Sequence, residues 1–369
     1  MKLLEMLFDR TRPWFDEGGV FHLTRPLAQG AEAFFFGSSE RTHMAPHARD
    51  PLDSKRFMMM VIIALTPAFC TSVYFFGWRV LAMMAVSYIA GGIVEVGFAI
   101  ARKKDIHEGF FVTGFLFPLV LPPTTPLWIV AVGVVFGVLV GKEVFGGTGR
   151  NVFNPVLVGR AFLTIAYPKA LASGFVTPGD WPWGRLREYV TADHVDALSG
   201  ATPLGQAGQN LLPFQEWLHI VMGKGGGATA GTFQYEEWFN MLLGNVSGAA
   251  GETSALAILI GGVFLCMVRV ANYRTVAGIL GTVFVLSAAM RPDIPVNFGL
   301  WQLFAGGLFL GAFFMATDPV TSPTTNIGKW VYGILIGALV VLIRNFSGYV
   351  EGVMFAILLG NLASPLIDE

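Results

Sequence analysis

Gly109-Phe110-Phe111-Val112-Thr113 leads into the proline- and threonine-rich turn at 122–126, and Ala312-Phe313-Phe314-Met315-Ala316 leads into a similar turn at 319–325. Working outward, residues 152–160 are echoed by 353–361, and Trp78-Arg79-Val80-Leu81-Ala82 by Tyr273-Arg274-Thr275-Val276-Ala277, in constant order. The two halves therefore repeat one unit. Apolar stretches at 57–76, 80–101, 109–121, 127–145 and 152–167 make up the first copy. Those at 254–270, 276–290, 300–317, 330–343 and 350–366 make up the second. An odd number of crossings per copy inverts the second relative to the first, which is the layout of many transport folds. The expectation is an all-α polytopic membrane protein with about ten transmembrane helices in two inverted five-helix repeats, with short or broken helices at the repeat centre.

Composition supports the membrane and argues against a water-soluble enzyme. Hydrophobic residues make up 54% of the chain and charged residues only 13%, where soluble domains carry about 25% charged residues. The 45 glycines and 32 phenylalanines suit closely packed helices with aromatic side chains toward lipid. Cys70 and Cys266 fall inside apolar stretches without metal or disulfide spacing and read as buried small hydrophobes.

Charge distribution orients the chain. Residues 1–56 form a basic arm with no apolar core of signal-peptide length, so the N-terminus is expected to be retained and cytoplasmic. Residues 57–167 are then the first transmembrane repeat, 168–253 an outer-face insertion and 254–369 the second repeat. The insertion is rich in glycine and tryptophan, and short amphipathic helices are expected at 211–222 and Tyr235–Leu243. Lys142 and Arg150 read as cytoplasmic-side charges.

Several residues point to chemistry. Charge within hydrocarbon is costly unless it faces a partner or a cavity. Glu95 lies inside an apolar stretch, after Gly91-Gly92, where missing side chains admit a flat ring or another helix. Asp318 and Asp368 sit at stretch ends, as does Glu108, where a solvated or capping role competes with a functional one. Carboxylates suit hard cations such as Na⁺. Residues 143–155 interrupt a hydrophobic region with glycines and restart a helix. Irregular backbone at membrane depth is tolerated where it lines a cavity, and the Asn151 and Asn154 amides there can read the heteroatom edge of a ring. No lysine followed by Ser or Thr completes a phosphate loop. In the insertion, Ser199-Gly200-Ala201-Thr202 offers a hydroxyl flanked by small residues, accessible to covalent modification.

The chain resembles the B subunit of the sodium-translocating NADH:quinone oxidoreductase. The likeness is carried by His47-Ala48-Arg49-Asp50, Lys55-Arg56, Glu108-Gly109-Phe110-Phe111-Val112-Thr113, residues 142–155 and Gly159-Arg160-Ala161-Phe162. It continues through Phe313-Phe314-Met315-Ala316-Thr317-Asp318-Pro319-Val320, Gly328-Lys329-Trp330 and residues 332–337. The resemblance implies FMN joined to Thr202 by a phosphoester, with Ser199, Gly200 and Ala201 completing the motif recognised by a flavin transferase. It also implies riboflavin held non-covalently beside Asn151 and Asn154, with Gly147 and Arg160 among the cofactor-binding residues. Quinone is expected near Gly91, Gly92, Phe110 and Phe111, and a Na⁺ path through Glu95, Asp318 and Asp368. The implied activity is that of an inner-membrane component of a redox-driven Na⁺ pump, passing electrons toward quinone among the other subunits and membrane lipid. No dinucleotide fingerprint or iron–sulfur cysteines are present, so NADH oxidation is expected elsewhere in the complex.

Two other readings share parts of this pattern. A flavin-carrying membrane component of the Rnf ferredoxin:NAD reductase complex has the flavin motif and the repeat, but usually lacks so long a basic arm. A channel or solute transporter would use the same repeat architecture without a flavin, which makes Thr202 the discriminating residue.

Overall fold

The computed structural model describes residues 54–102, 109–172, 174–175, 204, 235–291, 295–347 and 352–369. The basic arm through residue 53, Glu108, Ser199-Gly200-Ala201-Thr202 and the helix expected at 211–222 lie outside the described residues. Among the described residues the regular structure is all helical. The first half contains α1 (Ser54–Phe76), α2 (Trp78–Arg102), α3 (Gly109–Leu119), α4 (Leu127–Gly141) and α5 (Pro155–Ala166). Two short helices follow, α6 (Pro168–Ala172) and α7 (Tyr235–Leu243). The second half contains α8 (Ala255–Met267), α9 (Tyr273–Met290), α10 (Pro295–Phe304), α11 (Leu308–Met315), α12 (Asn326–Phe346) and α13 (Val353–Asp368). The last five residues of α11 form a π-helical turn.

Each apolar stretch read from the sequence contains helix, but length separates the helices into two kinds. Five, formed around α1, α2, α4, α9 and α12, are long and apolar enough to cross a membrane. A sixth crossing is available if α10 and α11, bent by 67° at a short break, count as one. By contrast α3, α5, α8 and α13 are shorter apolar helices. At 1.5 Å per residue, the 11 residues of α3 extend only about 16 Å, against roughly 30 Å of hydrocarbon. The chain is a polytopic helical membrane protein built of long and short apolar helices. Outward-facing side chains such as Ile89 and Ile93, at 63% and 69% exposure, suit lipid.

Local chemistry sets the helix starts. Ser254 accepts a hydrogen bond from the Ala257 N–H, Asn272 from Arg274 and Thr325 from Gly328, capping α8, α9 and α12. Gly77, with φ of 69°, makes the one-residue turn between α1 and α2. Small residues then let the helices approach. A Cβ on Gly261 of α8 would collide with the Ala64 carbonyl of α1, so backbones from the two halves touch there. One apolar core runs through both halves. A separate small cluster joins Leu204, Met241, Phe298, Trp301 and Ala305.

The C-terminal part of the insertion is folded into the helical body. Ala249 and Ala250 are fully buried, and Ala250 and Gly251 donate N–H groups to the Leu121 and Leu119 carbonyls at 2.9 and 2.7 Å. The expected helix at Tyr235–Leu243 is present. The cysteines differ from expectation. Both are free, but Cys70 is exposed on α1 and Cys266 only partly covered, because apolar helices in this chain also present side chains outward.

Candidate functional site: a cleft between the two halves

The two echoing stretches line one cleft. Gly109, Val112, Thr113 and Leu116 of α3 contribute one wall, and Phe313, Phe314, Thr317 and Asp318 at the end of α11 the other. The segment between α4 and α5 supplies Lys142, Thr148, Asn151, Asn154 and Pro155, while Phe57 and Val61 of α1 and Leu265 of α8 add apolar surface.

The segment's course follows from its glycines. Lys142 ends α4, a 3₁₀ turn covers Glu143–Phe145, and Gly146, Gly147 and Gly149 then take φ values of 114°, 98° and 88°. Side-chain-bearing residues rarely adopt that backbone. The turn sets Thr148 against the start of α3, where a Cβ on Gly109 would lie 3.1 Å from Thr148 Cγ2. The Thr148 hydroxyl is buried and has no hydrogen-bond partner among the described residues. Asn151 accepts from the Gly149 N–H through Oδ1 at 3.3 Å and donates Nδ2 to the Phe153 carbonyl at 3.1 Å. Asn154 caps α5, its Oδ1 accepting the Val156 N–H at 3.0 Å with Pro155 in the first helical position. No hydrogen bond within the described residues uses Asn154 Nδ2. The cleft thus holds two uncommitted polar groups beside an apolar, partly aromatic surface. That is the make-up of a pocket for a flat heteroatom-bearing ring.

Buried charge lies against the same segment. Lys142 donates to Glu95 Oε1 at 2.5 Å, with side chains only 4% and 5% exposed. Next to this pair, Arg102 Nη1 donates to Glu143 Oε2 at 2.9 Å and Nη2 to the Glu143 carbonyl. Charge distribution along the sequence groups Lys142 with the cytoplasmic-side cations; the structure makes it the partner of Glu95. Its position directly after an apolar run marks it as a cation near buried surface, but does not name Glu95 as its partner. Asp318, on the opposite wall, accepts the Val320 N–H at 3.2 Å. Burial pushes its carboxyl above the ordinary range, and the hydrogen bond works in the other direction.

The remaining expected residues separate into four places. Gly91, Gly92 and Phe110 meet: a Cβ on Gly92 would lie 3.2 Å from Phe110 Cζ, and one on Gly91 3.8 Å from Cε2. Phe111 is held beside them, its carbonyl accepting the Tyr88 hydroxyl at 2.7 Å and its ring centroid 5.4 Å from that of Phe110. Arg160 does not line the cleft; it donates to Glu252 Oε1 at 2.5 Å in a second buried pair. Gly147 also lies off the cleft wall, its N–H donated to the Lys142 carbonyl at 3.2 Å. Asp368 does not line the cleft and receives hydrogen bonds from the N–H and hydroxyl groups of Thr324 and Thr325, at 2.7 to 3.1 Å. Thr148 and Glu252 emerge only from the structure, since neither carries a local sequence signal.

Residues 41–369 match the model of a family described as NQR2, RnfD, RnfE. The chain belongs to this family. Among its relatives, the B subunit of the Na(+)-translocating NADH-quinone reductase of Azotobacter vinelandii is 39% identical over 420 aligned positions, covering 100% of this chain and 96% of the relative. The corresponding B subunit of Neisseria meningitidis serogroup A is 38% identical, covering 99% and 95%. That of Pseudomonas aeruginosa PAO1 is 36% identical, covering 99% and 96%. Within the NQR2, RnfD, RnfE family this chain is thus similar to these B subunits over essentially its whole length, short and broken helices included.

Proposed function

We propose that this chain is the B subunit of a Na⁺-translocating NADH-quinone reductase, a membrane component that relays electrons toward quinone while Na⁺ crosses the membrane. The observation that carries the reading is similarity to B-subunit relatives along the entire chain. In this reading the helices form ten spans in two inverted five-helix repeats in the inner membrane, with both termini cytoplasmic. The other subunits supply the NADH-oxidising site.

The cleft is the seat of riboflavin, and the residues there fit such a group. The orphaned Thr148 hydroxyl and Asn154 Nδ2 meet its heteroatoms, and Phe313, Phe314 and Pro155 offer apolar contact. Bound there, a flavin supplies reversible acceptance and donation of electrons. The cleft residues orient it and exclude water. Quinone docks against Gly91 and Gly92, where Phe110 and Phe111 give aromatic contact. Glu95, paired with the cleft residue Lys142, Asp318 on the cleft wall and Asp368 at the end of α13 serve the Na⁺ path.

Thr202 carries FMN as a phosphoester on the outer face, attached by a flavin transferase. A flavin on that loop would separate this reading from a channel or solute transporter. The denatured polypeptide, produced in cells that make the transferase, should fluoresce in a gel under ultraviolet light, and Thr202→Ala should abolish the band. A colourless wild-type band would overturn the covalent assignment.

A further inference from the structure

We infer that Lys142 and Glu95 form a charge-compensating device for the cleft: Lys142 neutralises negative charge arriving there, and Glu95, released, takes up one monovalent cation in its place. The inference rests on the reading of the cleft as the seat of a non-covalent flavin.

Lys142 belongs to two structures at once. Its residue lines the cleft, and its ammonium is the hydrogen-bond partner of Glu95 at 2.5 Å, both side chains being buried. An ammonium has three donors, and only the one to Glu95 is engaged among the described residues. The adjacent carboxylate, Glu143, is matched by Arg102, so it neither competes for Lys142 nor adds uncompensated charge. In this geometry Glu95 is already neutralised. A cation can take full benefit of Glu95 only if Lys142 turns away, and Lys142 gains from turning only if negative charge has appeared elsewhere. In a water-poor interior both conditions are strongly enforced, because an unmatched unit charge is costly. Cation uptake at Glu95 and electron arrival in the cleft are therefore one event seen from two sides.

The charges balance. The resting pair carries +1 and −1. One electron, supplied by the NADH-oxidising part of the complex, adds −1 to the flavin; no bond breaks, and Lys142 keeps its proton. The ammonium then faces the new charge, and Glu95, left at −1, is matched by one monovalent cation. When the electron leaves toward quinone, Lys142 returns to Glu95 and the cation is expelled.

The test is an equilibrium redox titration of the purified complex, following the visible absorbance of its non-covalent flavin with Na⁺ or choline as the sole monovalent cation. At a fixed applied potential, Na⁺ should raise the reduced-to-oxidised ratio in the wild type. Glu95→Gln, by freeing Lys142, should raise the ratio in choline about tenfold and remove its dependence on Na⁺. Lys142→Met should lower it about tenfold. Because Lys142→Met leaves a buried carboxylate unmatched, the Glu95→Gln/Lys142→Met variant guards against misfolding; it too should lose the Na⁺ dependence. Redox-difference infrared spectra should contain a carboxylate band that Glu95→Gln deletes. A Glu95→Gln complex that holds its flavin and keeps the wild-type ratio and Na⁺ dependence overturns the inference alone. A complex that releases no non-covalent flavin on denaturation overturns the reading of the cleft, and the inference with it.

Discussion

The cleft and the junction around Arg160 both set buried charge beside interrupted helices. At the junction, Arg160 pairs with Glu252, whose carboxylate packs so tightly on Gly307, at the start of α11, that a Cβ there would have no room. At the same break, Arg344 donates to the Gln302 and Ala305 carbonyls at 2.6 and 2.9 Å, meeting the end of α10 with positive charge. An ion pair and a cation held by carbonyls thus meet at the bend of this span. The cleft has a matched pair too, but it also keeps the Thr148 hydroxyl and Asn154 Nδ2 in reserve, beside residues from both halves. Buried charge therefore does not by itself mark a functional site in this protein. What sets the cleft apart is that its polar groups stand beside an apolar, partly aromatic surface drawn from both halves.

Breaking the junction should have the largest effect. Glu252→Ala removes the carboxylate that pairs with the buried Arg160 guanidinium, a loss worth about 3–5 kcal/mol. The expected result is a steep fall in melting temperature and in the yield of assembled complex. A variant as stable as the wild type would erase the distinction between the two regions. At the cleft the expectation reverses. Thr148→Val keeps the shape and removes a hydroxyl that has no partner within the described residues, so the fold should be unharmed or slightly more stable. Retention of non-covalent flavin should fall roughly fivefold, on the order of 1 kcal/mol for a lost hydrogen bond. Full retention would remove Thr148 from the binding set.

The same contrast separates what was legible in the sequence from what was not. Apolar runs, the glycines at 146, 147 and 149 and the Asn154-Pro155 helix start are local signals, and each produced the local structure it implied. The pairing of Gly91 and Gly92 with an aromatic ring was also readable, since missing side chains announce a close approach. Lys142 with Glu95 and Arg160 with Glu252 join residues 47 and 92 positions apart, and nothing local in a charge names its partner. Arg160 entered as a cofactor-binding residue through family likeness, whereas its position in α5 turns it toward Glu252. Helix length was read only in part: apolar composition located the helices, but the short α3, α5, α8 and α13 depend on packing that composition does not specify.

Asp368 sharpens the comparison with the smallest effect. It lies outside both regions and is solvated, yet four hydrogen bonds from Thr324 and Thr325 converge on it at the start of α12. Led by the Thr324 N–H, they hold its carboxyl down at about 2, below the ordinary 3.8. A depressed acid stabilises the fold fully above its ordinary value and loses that contribution as pH falls toward the folded one. Asp368→Asn keeps one accepting oxygen and replaces the other with a donor that cannot receive two of those bonds. The variant should therefore melt slightly below the wild type at neutral pH, and the gap should narrow as pH falls from about 5 to about 3. Solvent screening keeps the difference small. Both Asp368 oxygens are already engaged, so the variant should shift the Na⁺ dependence of quinone reduction less than Glu95→Gln does. An equal shift would make Asp368 a direct cation ligand and place a second functional centre at the foot of α13.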